Sequence, residues 1–433
     1  MISRRSIMAA AGATAAAGSA EAAASRSKPL PKGFLWGTAI SAHQSEGNDT
    51  NSDTWLLENV KPTLYKDRSG DACDSYNRFE EDIALNAALG FNCYRFGIEW
   101  ARIEPSPGIF SNAELDHYAR VLESCHRHGQ TPVVTFSHFS TPRWFAERGN
   151  FAEPDSPDIF ARYCTRVTER LGSLMGMATT FNEANIQNLL QVMPQYAGLI
   201  PFTRPMIAAG AKATGSPKFT SLLFSDPALT GPNLLEAHRK GYEAIKAARP
   251  SLPVGVTLTT QDIQAVGPNS RADELRAKLY GGWIDMAKSH ADFVGVQTYT
   301  RIRVDAKGPI DPPKGAEMTD AGYEFYPAAL GNTIRWAHQA IGKPIYVTEN
   351  GIATDDDTRR IAFIDEALKG VRACIDEGIP VHSYMYWSLL DNFEWTSGYG
   401  KHFGLVGVDL NTFKRTPKPS ARYLGKRARM NLL

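Results

Sequence analysis

The chain has 433 residues, 43% of them hydrophobic and 21% charged, with a formal net charge of +1. This is the composition of an ordinary soluble globular protein, and so small a net charge offers no field to gather nucleic acid or an anionic membrane. The five cysteines (Cys73, Cys93, Cys125, Cys164, Cys374) are few, show no CxxC spacing and indicate no disulfide framework; being odd in number, they leave at least one thiol free or paired between chains.

The N-terminus reads as a targeting segment. Ser3-Arg4-Arg5-Ser6 precedes an alanine-rich, weakly apolar run from Ile7 to Gly18, and Ala20-Glu21-Ala22 offers a small-x-small cleavage site. Residues 1–24 look like a twin-arginine signal peptide, the competing reading being a disordered alanine-rich leader. The run is too short to be a permanent membrane anchor, and no later window reaches that length. The mature chain is expected to begin near Ala23 and to fold before export to the periplasm. Pro29 and Pro31 mark a linker, and residues 30–433 are expected to form one domain.

Beyond the linker, apolar runs alternate with amphipathic segments. Strands are expected at Phe34–Ile40, Asn92–Ile98, Thr131–His138, Met177–Asn182, Val254–Thr259, Phe293–Tyr299, Ile345–Glu349 and Ser383–Leu390. Several are unbroken apolar runs of the kind found in parallel strands buried on both faces. Helices are expected at Tyr76–Leu89, Ala113–His128 (ended by Gly129), Asp158–Leu171, Asn233–Ala248, Ala272–Ser289, Pro327–Ile341 and Thr358–Glu377. Strands and helices alternating over this length suit an α/β chain folded as a (β/α)8 TIM barrel. A doubly wound open sheet is the runner-up, but no GxGxxG or Walker-type loop fills its switch point. Gln187 to Thr230 reads as a long loop after strand four, proline-rich and weakly periodic. Such loops are usually functional covers or disordered, and its aromatic and apolar residues favour a cover over the site.

In a barrel, chemistry sits at the C-terminal ends of the strands. Those positions hold Gln44, Arg95, His138, Asn182, Glu183, Tyr299, Glu349 and Trp387, followed by Asp391-Asn392-Phe393-Glu394-Trp395. Burying a carboxylate without partners is costly, so Glu183 and Glu349, each closing an apolar run, stand out as a pair. Aromatic faces with amide, imidazole and carboxylate hydrogen-bonders match the C–H faces and hydroxyl rim of a sugar. No phosphate cradle or cofactor fingerprint competes, and no metal site is expected. His126 and His128, beside Cys125, fit a helix C-terminus, where imidazoles meet the dipole favourably. Asp355–Asp357 reads as a solvated acidic loop.

With these residues assembled, the chain resembles glycoside hydrolase family 1, the β-glucosidase family. F-L-W-G-T-A-I-S-A-H-Q-S-E-G from Phe34 resembles the family's opening motif. T-F-N-E ending at Glu183 resembles its acid/base motif, and V-T-E-N-G ending at Gly351 its nucleophile motif. W-S-L-L-D-N-F-E-W from Trp387, followed by G-Y-G-K-H-F-G-L-V-G-V-D, extends the match.

The resemblance implies a retaining β-glycosidase that needs no cofactor and takes a small β-linked saccharide or glycoside, most simply a terminal β-D-glucoside and also β-galactosides. Glu349 would be the nucleophile, kept ionised by Arg95 and hydrogen-bonded by Tyr299, and Glu183 the general acid/base. Gln44, His138, Asn182, Trp387, Glu394 and Trp395 would bind the sugar. Retaining enzymes set the two carboxyls roughly 5–5.5 Å apart. Three positions depart from the family pattern: Ala184 replaces a proline, Phe139 a tryptophan and Gln297 an asparagine. Phe139 lacks an indole N–H, which relaxes recognition of one sugar hydroxyl. A transglycosylase would use the same two glutamates, and a non-catalytic sugar-binding barrel would leave them idle. A 6-phosphoglycosidase is set aside because Glu394 would repel the phosphate.

Overall fold

The computed structural model describes residues 30–193, 196 and 198–433. The leader expected over residues 1–24 lies outside the described residues, as do Pro29 of the linker and Pro194 of the covering segment. Eight strands form the core: β1 (Leu35–Ala39), β2 (Cys93–Gly97), β3 (Thr131–Ser137), β4 (Met177–Phe181), β5 (Val254–Thr259), β6 (Phe293–Gln297), β7 (Ile345–Glu349) and β8 (Val381–Trp387). Each pairs in parallel with its chain neighbours, and β1 closes on β8 from Leu35↔Ser383 to Ala39↔Trp387. The fold is a (β/α)8 barrel, with every expected strand present and most of them trimmed by a residue or two.

Side chains along a strand alternate between its faces. Cys93, Val133, Met177, Phe293 and Met385 meet inside the barrel, joined by Leu35 and Tyr346. Their neighbours Tyr94, Val134, Ala178, Val294 and Tyr384 pack outward, in the layer shared with the helices. This double burial is why the strands read as continuous apolar runs. The helices have local starts: Ser111 accepts from the Glu114 N–H ahead of helix Asn112–Arg127, and Pro157 sits in the first turn of helix Ser156–Leu171. The chain's end ties back to its beginning, since Trp36 Nε1 donates to Asn431 Oδ1 at 2.9 Å just past helix Pro419–Met430.

The segment 187–230 is largely helical rather than the expected loop. Helices run over Ile186–Leu190 and Ile200–Thr214, and helix Pro227–Ala248 begins within the segment, earlier than the expected Asn233. Its prolines mislead when read only as breakers. Pro201 and Pro227 occupy first turns, where an N–H has no helical acceptor, and the helices continue past Pro205 and Pro232. Of the acidic run, Asp355 and Asp356 lie exposed in the loop, as expected, and Asp356 accepts from the Thr358 N–H as the cap of helix Asp357–Asp376, whose first residue, Asp357, receives Ser420 and Arg360. His126 bonds the Leu174 carbonyl and His128 the Glu80 carboxylate, and no group of metal-ligating side chains occurs among the described residues.

Candidate active site

The C-terminal ends of the strands open into a cavity of about 1010 Å³. Gln44, His138, Asn182, Glu183, Tyr299, Glu349, Trp387, Glu394 and Trp395 all line it. Arg95 lies behind them, completely buried on β2 and bonded to two of them.

Glu349 reaches the cavity through an irregularity in β7. Ile345 and Val347 face the helices and Tyr346 faces the barrel interior, so strict alternation would turn Glu349 outward. The register prevents this: Val347 pairs with Val296 and Glu349 with the very next residue, Gln297, which leaves one residue extra on β7. The bulge rotates Glu349 inward. There Arg95 Nη1 donates to Oε1 at 2.5 Å and the Tyr299 hydroxyl to Oε2 at 2.7 Å. Asn350 locks the turn that follows, donating to the Thr298 carbonyl at 2.6 Å while the Tyr384 hydroxyl donates to its Oδ1 at 2.9 Å. Gly351 is required next, because a Cβ there would collide with the Trp387 carbonyl oxygen.

Glu183 stands just beyond β4 with φ +41°, an unusual backbone for a residue with a side chain. Its N–H donates to Thr257 Oγ1 at 3.1 Å, and the Thr259 hydroxyl bonds its carboxylate. Burial, then the charge of Glu349, push the Glu183 carboxyl up to about 8. Burial also raises Glu349 above the usual carboxylate range, while Arg95 and the Tyr299 hydroxyl pull it down. The cation expected to keep Glu349 ionised is thus present, but burial outweighs it. Arg95 and Tyr299 grip Glu349 and not Glu183, so a single proton shared by the pair belongs on Glu183.

The remaining polar groups are held by one another. Asn182 Oδ1 accepts from Arg95 Nη2 at 2.5 Å and from Gln297 Nε2 at 2.7 Å, which fixes the orientation of its amide. Gln44 Nε2 donates to the Phe393 carbonyl at 2.9 Å and to Glu394 Oε2 at 3.1 Å, pinning the loop after β8. Burial, then Glu349, raise the Glu394 carboxyl to about 8. His138 lies nearly parallel to Trp387 and Trp395, with ring centroids at 5.6 and 6.3 Å. Burial, with help from Arg95, holds its pKa far below the ordinary value, so the ring is neutral. Trp395 also stacks on His43 at 5.8 Å. That imidazole is clasped by Asp49 at 3.0 Å and Glu58 at 2.7 Å; these partners overcome its burial and raise it to about 10.

The three departures from the family pattern take definite places. Phe139 lines the cavity edge-on to Trp395, and Gln297 lies behind Asn182. Ala184 uses the N–H a proline would lack, donating to the Thr257 carbonyl at 3.0 Å. Thr259 and Gln261 also face the cavity and escaped the reading of strand ends, in which strand five contributed nothing. The same rule applied to the end of β5 would have found Thr259.

The family model for glycosyl hydrolase family 1 matches residues 26–285 and 284–431. Beta-glucosidase A of Acetivibrio thermocellus is 28% identical over 450 residues, covering 90% of this chain and 96% of that protein. Beta-glucosidase A of Thermotoga maritima is 29% identical over 452 residues, covering 91% and 96%. Among solved structures, the apo form of beta-glucosidase 1317 superposes with a TM-score of 0.90 at 45% identity, covering 93% of this chain and 99% of its own. Beta-glycosidase BGL167 gives a TM-score of 0.88 at 46% identity, covering 94% and 98%.

Proposed function

The chain belongs to glycosyl hydrolase family 1 and is a glycoside hydrolase, and on that premise we propose that it is a retaining β-glucosidase with Glu349 as nucleophile and Glu183 as general acid/base. The observation that carries this reading is the asymmetry between two buried carboxyls. Glu349 is gripped by a guanidinium and a phenol, whereas Glu183 has neither and is raised to about 8. Glu183 protonates the glycosidic oxygen as Glu349 attacks the anomeric carbon, giving a glycosyl-enzyme and a free aglycone. Glu183, now a carboxylate, takes a proton from the water that releases the sugar. Asn182, Gln44, His138 and Glu394 bind the hydroxyls of the glycone, and Trp387 and Trp395 its C–H face.

Replacing Glu349 by glycine tests the assignment. The variant is expected to lose hydrolysis of aryl β-glucosides by at least 10³-fold, the scale of removing a covalent catalyst. It is also expected to couple an α-glucosyl fluoride to an acceptor, because the vacated space accepts the leaving fluoride's position. Near-wild-type hydrolysis would reject Glu349 as nucleophile.

The same reading extends to location. Arg4-Arg5 and the alanine-rich run support a twin-arginine signal and a periplasmic or secreted enzyme. The five cysteines fit that route: all are free and buried, as suits a chain that folds before it meets an oxidising compartment.

A further inference from the structure

Behind the glycone-binding residues lies a group of buried charges that the proposed reaction does not use. His43, Asp49 and Glu58 are 1%, 3% and 2% exposed. His43 sits on the short helix Ala42–Ser45 just past β1, Asp49 on the loop that follows, and Glu58 on helix Asp53–Asn59. Each ring nitrogen of His43 meets a carboxylate oxygen, Nδ1 at 3.0 Å from Asp49 and Nε2 at 2.7 Å from Glu58. A carboxylate only accepts hydrogen bonds, so both nitrogens carry a proton and the ring is an imidazolium. Both partners are held as carboxylates. The Ser69 N–H and hydroxyl donate to the other Glu58 oxygen at 2.8 and 2.7 Å. Burial works against the charge on Asp49, but its bond to His43 and the charges of His43 and Arg102 keep it below the usual carboxylate range. Asp53 and Glu99, both raised by burial, also feel the imidazolium.

Three buried charges are a poor way merely to fill space, since apolar residues of the same volume often match or exceed the stability of a buried ion pair. What the group supplies is orientation. Anchors on both ring nitrogens leave the imidazole plane little freedom to turn, and that plane lies 9° from the indole of Trp395, with centroids 5.8 Å apart. A cation within about 6 Å of an indole ring is also attracted by its π-electrons. Trp395 needs such a hold: its backbone is left-handed, φ +48°, and it opens the tight turn Trp395–Ser397 in the loop after β8. The residues before it are gripped by the same short helix. Gln44 donates to the Phe393 carbonyl and to Glu394, and the Phe393 N–H donates to the Gln44 carbonyl at 3.1 Å. Consecutive residues of one helix thus hold consecutive residues of the sugar-binding loop.

We propose that His43 is a positioning residue for the glycone: held as an imidazolium between Asp49 and Glu58, it fixes the plane of the Trp395 indole on which the sugar packs. This rests on the β-glucosidase reading above for the role of Trp395 and adds the charged support behind it.

Two variants separate support of Trp395 from support of the fold. His43→Gln leaves two buried carboxylates without their cation and should lower the melting temperature. The triple variant His43→Phe, Asp49→Asn, Glu58→Gln keeps an aromatic ring, removes all three charges and should recover most of that loss. In both, KM for nitrophenyl and methyl β-glucosides should rise by the same factor, about tenfold or more, with kcat little changed, because a contact made equally in ground and transition states is weakened. The alkaline limb set by Glu183 should stay in place. With nitrogen-15 in the indoles, the Trp395 N–H signal, assigned as the one missing from Trp395→Phe, should be sharp in the wild type and broadened or doubled in both variants. With nitrogen-15 in the imidazoles, both His43 ring nitrogens of the wild type should carry protons at neutral pH. A neutral His43 ring, wild-type KM in either variant, a KM change that differs between the two glucosides, or a displaced alkaline limb overturns the inference. If His43→Gln does not fold, the triple variant and the wild-type ring protons decide. A changed Trp395 signal in a protein inert on both glucosides would uphold the hold on Trp395 and sink the glucosidase reading instead.

Discussion

Glu183 and Glu349 are chemically identical side chains held in different surroundings. Glu183 is raised to about 8 by burial and by the charge of Glu349, with Thr259 as a hydrogen-bonding partner. A general acid acts only while protonated, so kcat/KM should fall as pH rises through about 8, and the acid limb should report ionisation of Glu349. Glu183→Ala should erase the alkaline limb. It should cost poor leaving groups 10²–10⁴-fold, the usual worth of general acid catalysis, and activated aryl glucosides far less. An alkaline limb that survives in Glu183→Ala, or equal losses on both substrates, would remove Glu183 from the acid role. Both glutamates were legible in the sequence because a carboxylate closing an apolar run is conspicuous. Their unequal environments were not, since Arg95, Tyr299 and Thr259 lie on or just beyond strands far apart in the chain.

At the scale of the element, the bulge in β7 and the turn after it decide where Glu349 points. The alternation of Ile345, Tyr346 and Val347 continues smoothly in the sequence, and nothing local marks the extra residue. Only pairing with β6 exposes it. Gly351 belongs to the same device: substitution by alanine would push a methyl group into the Trp387 carbonyl. Overpacking of this kind typically costs about 1–3 kcal/mol. Gly351→Ala is therefore expected to lower the melting temperature and to reduce kcat/KM at least tenfold, because β7 carries Glu349 and β8 carries Trp387. A variant with unchanged melting temperature and kinetics would show that the two strands do not need this close approach. The covering segment teaches the complementary lesson. Its prolines hid two helices from a reading of local propensity, because the first turn of a helix tolerates a residue without an N–H.

Over the whole molecule, one barrel presents one catalytic face, and its cysteines stay buried and unbridged. Their thiols are pushed up by burial, Cys374 to about 11 and Cys125 to about 12, which keeps them unreactive as thiolates. If export carries the folded chain, Arg4→Lys with Arg5→Lys should hold glucosidase activity in the cytoplasm of the cell that makes it. Periplasmic activity unchanged by that double substitution, measured in cell fractions, would reject a twin-arginine route.

The sequence alone determined the barrel, because parallel strands buried on both faces must be written as apolar runs alternating with amphipathic helices. It also determined which residues crowd the catalytic face, since strand ends are local features. Tertiary structure alone decided the rest. Inter-strand register turned Glu349 inward, long-range contacts made Arg95 and Asn182 a single bonded group, and packing of the segment after β4 gave the cavity its covering wall. Each of these depends on which distant residues meet, and no local pattern of residue types records that.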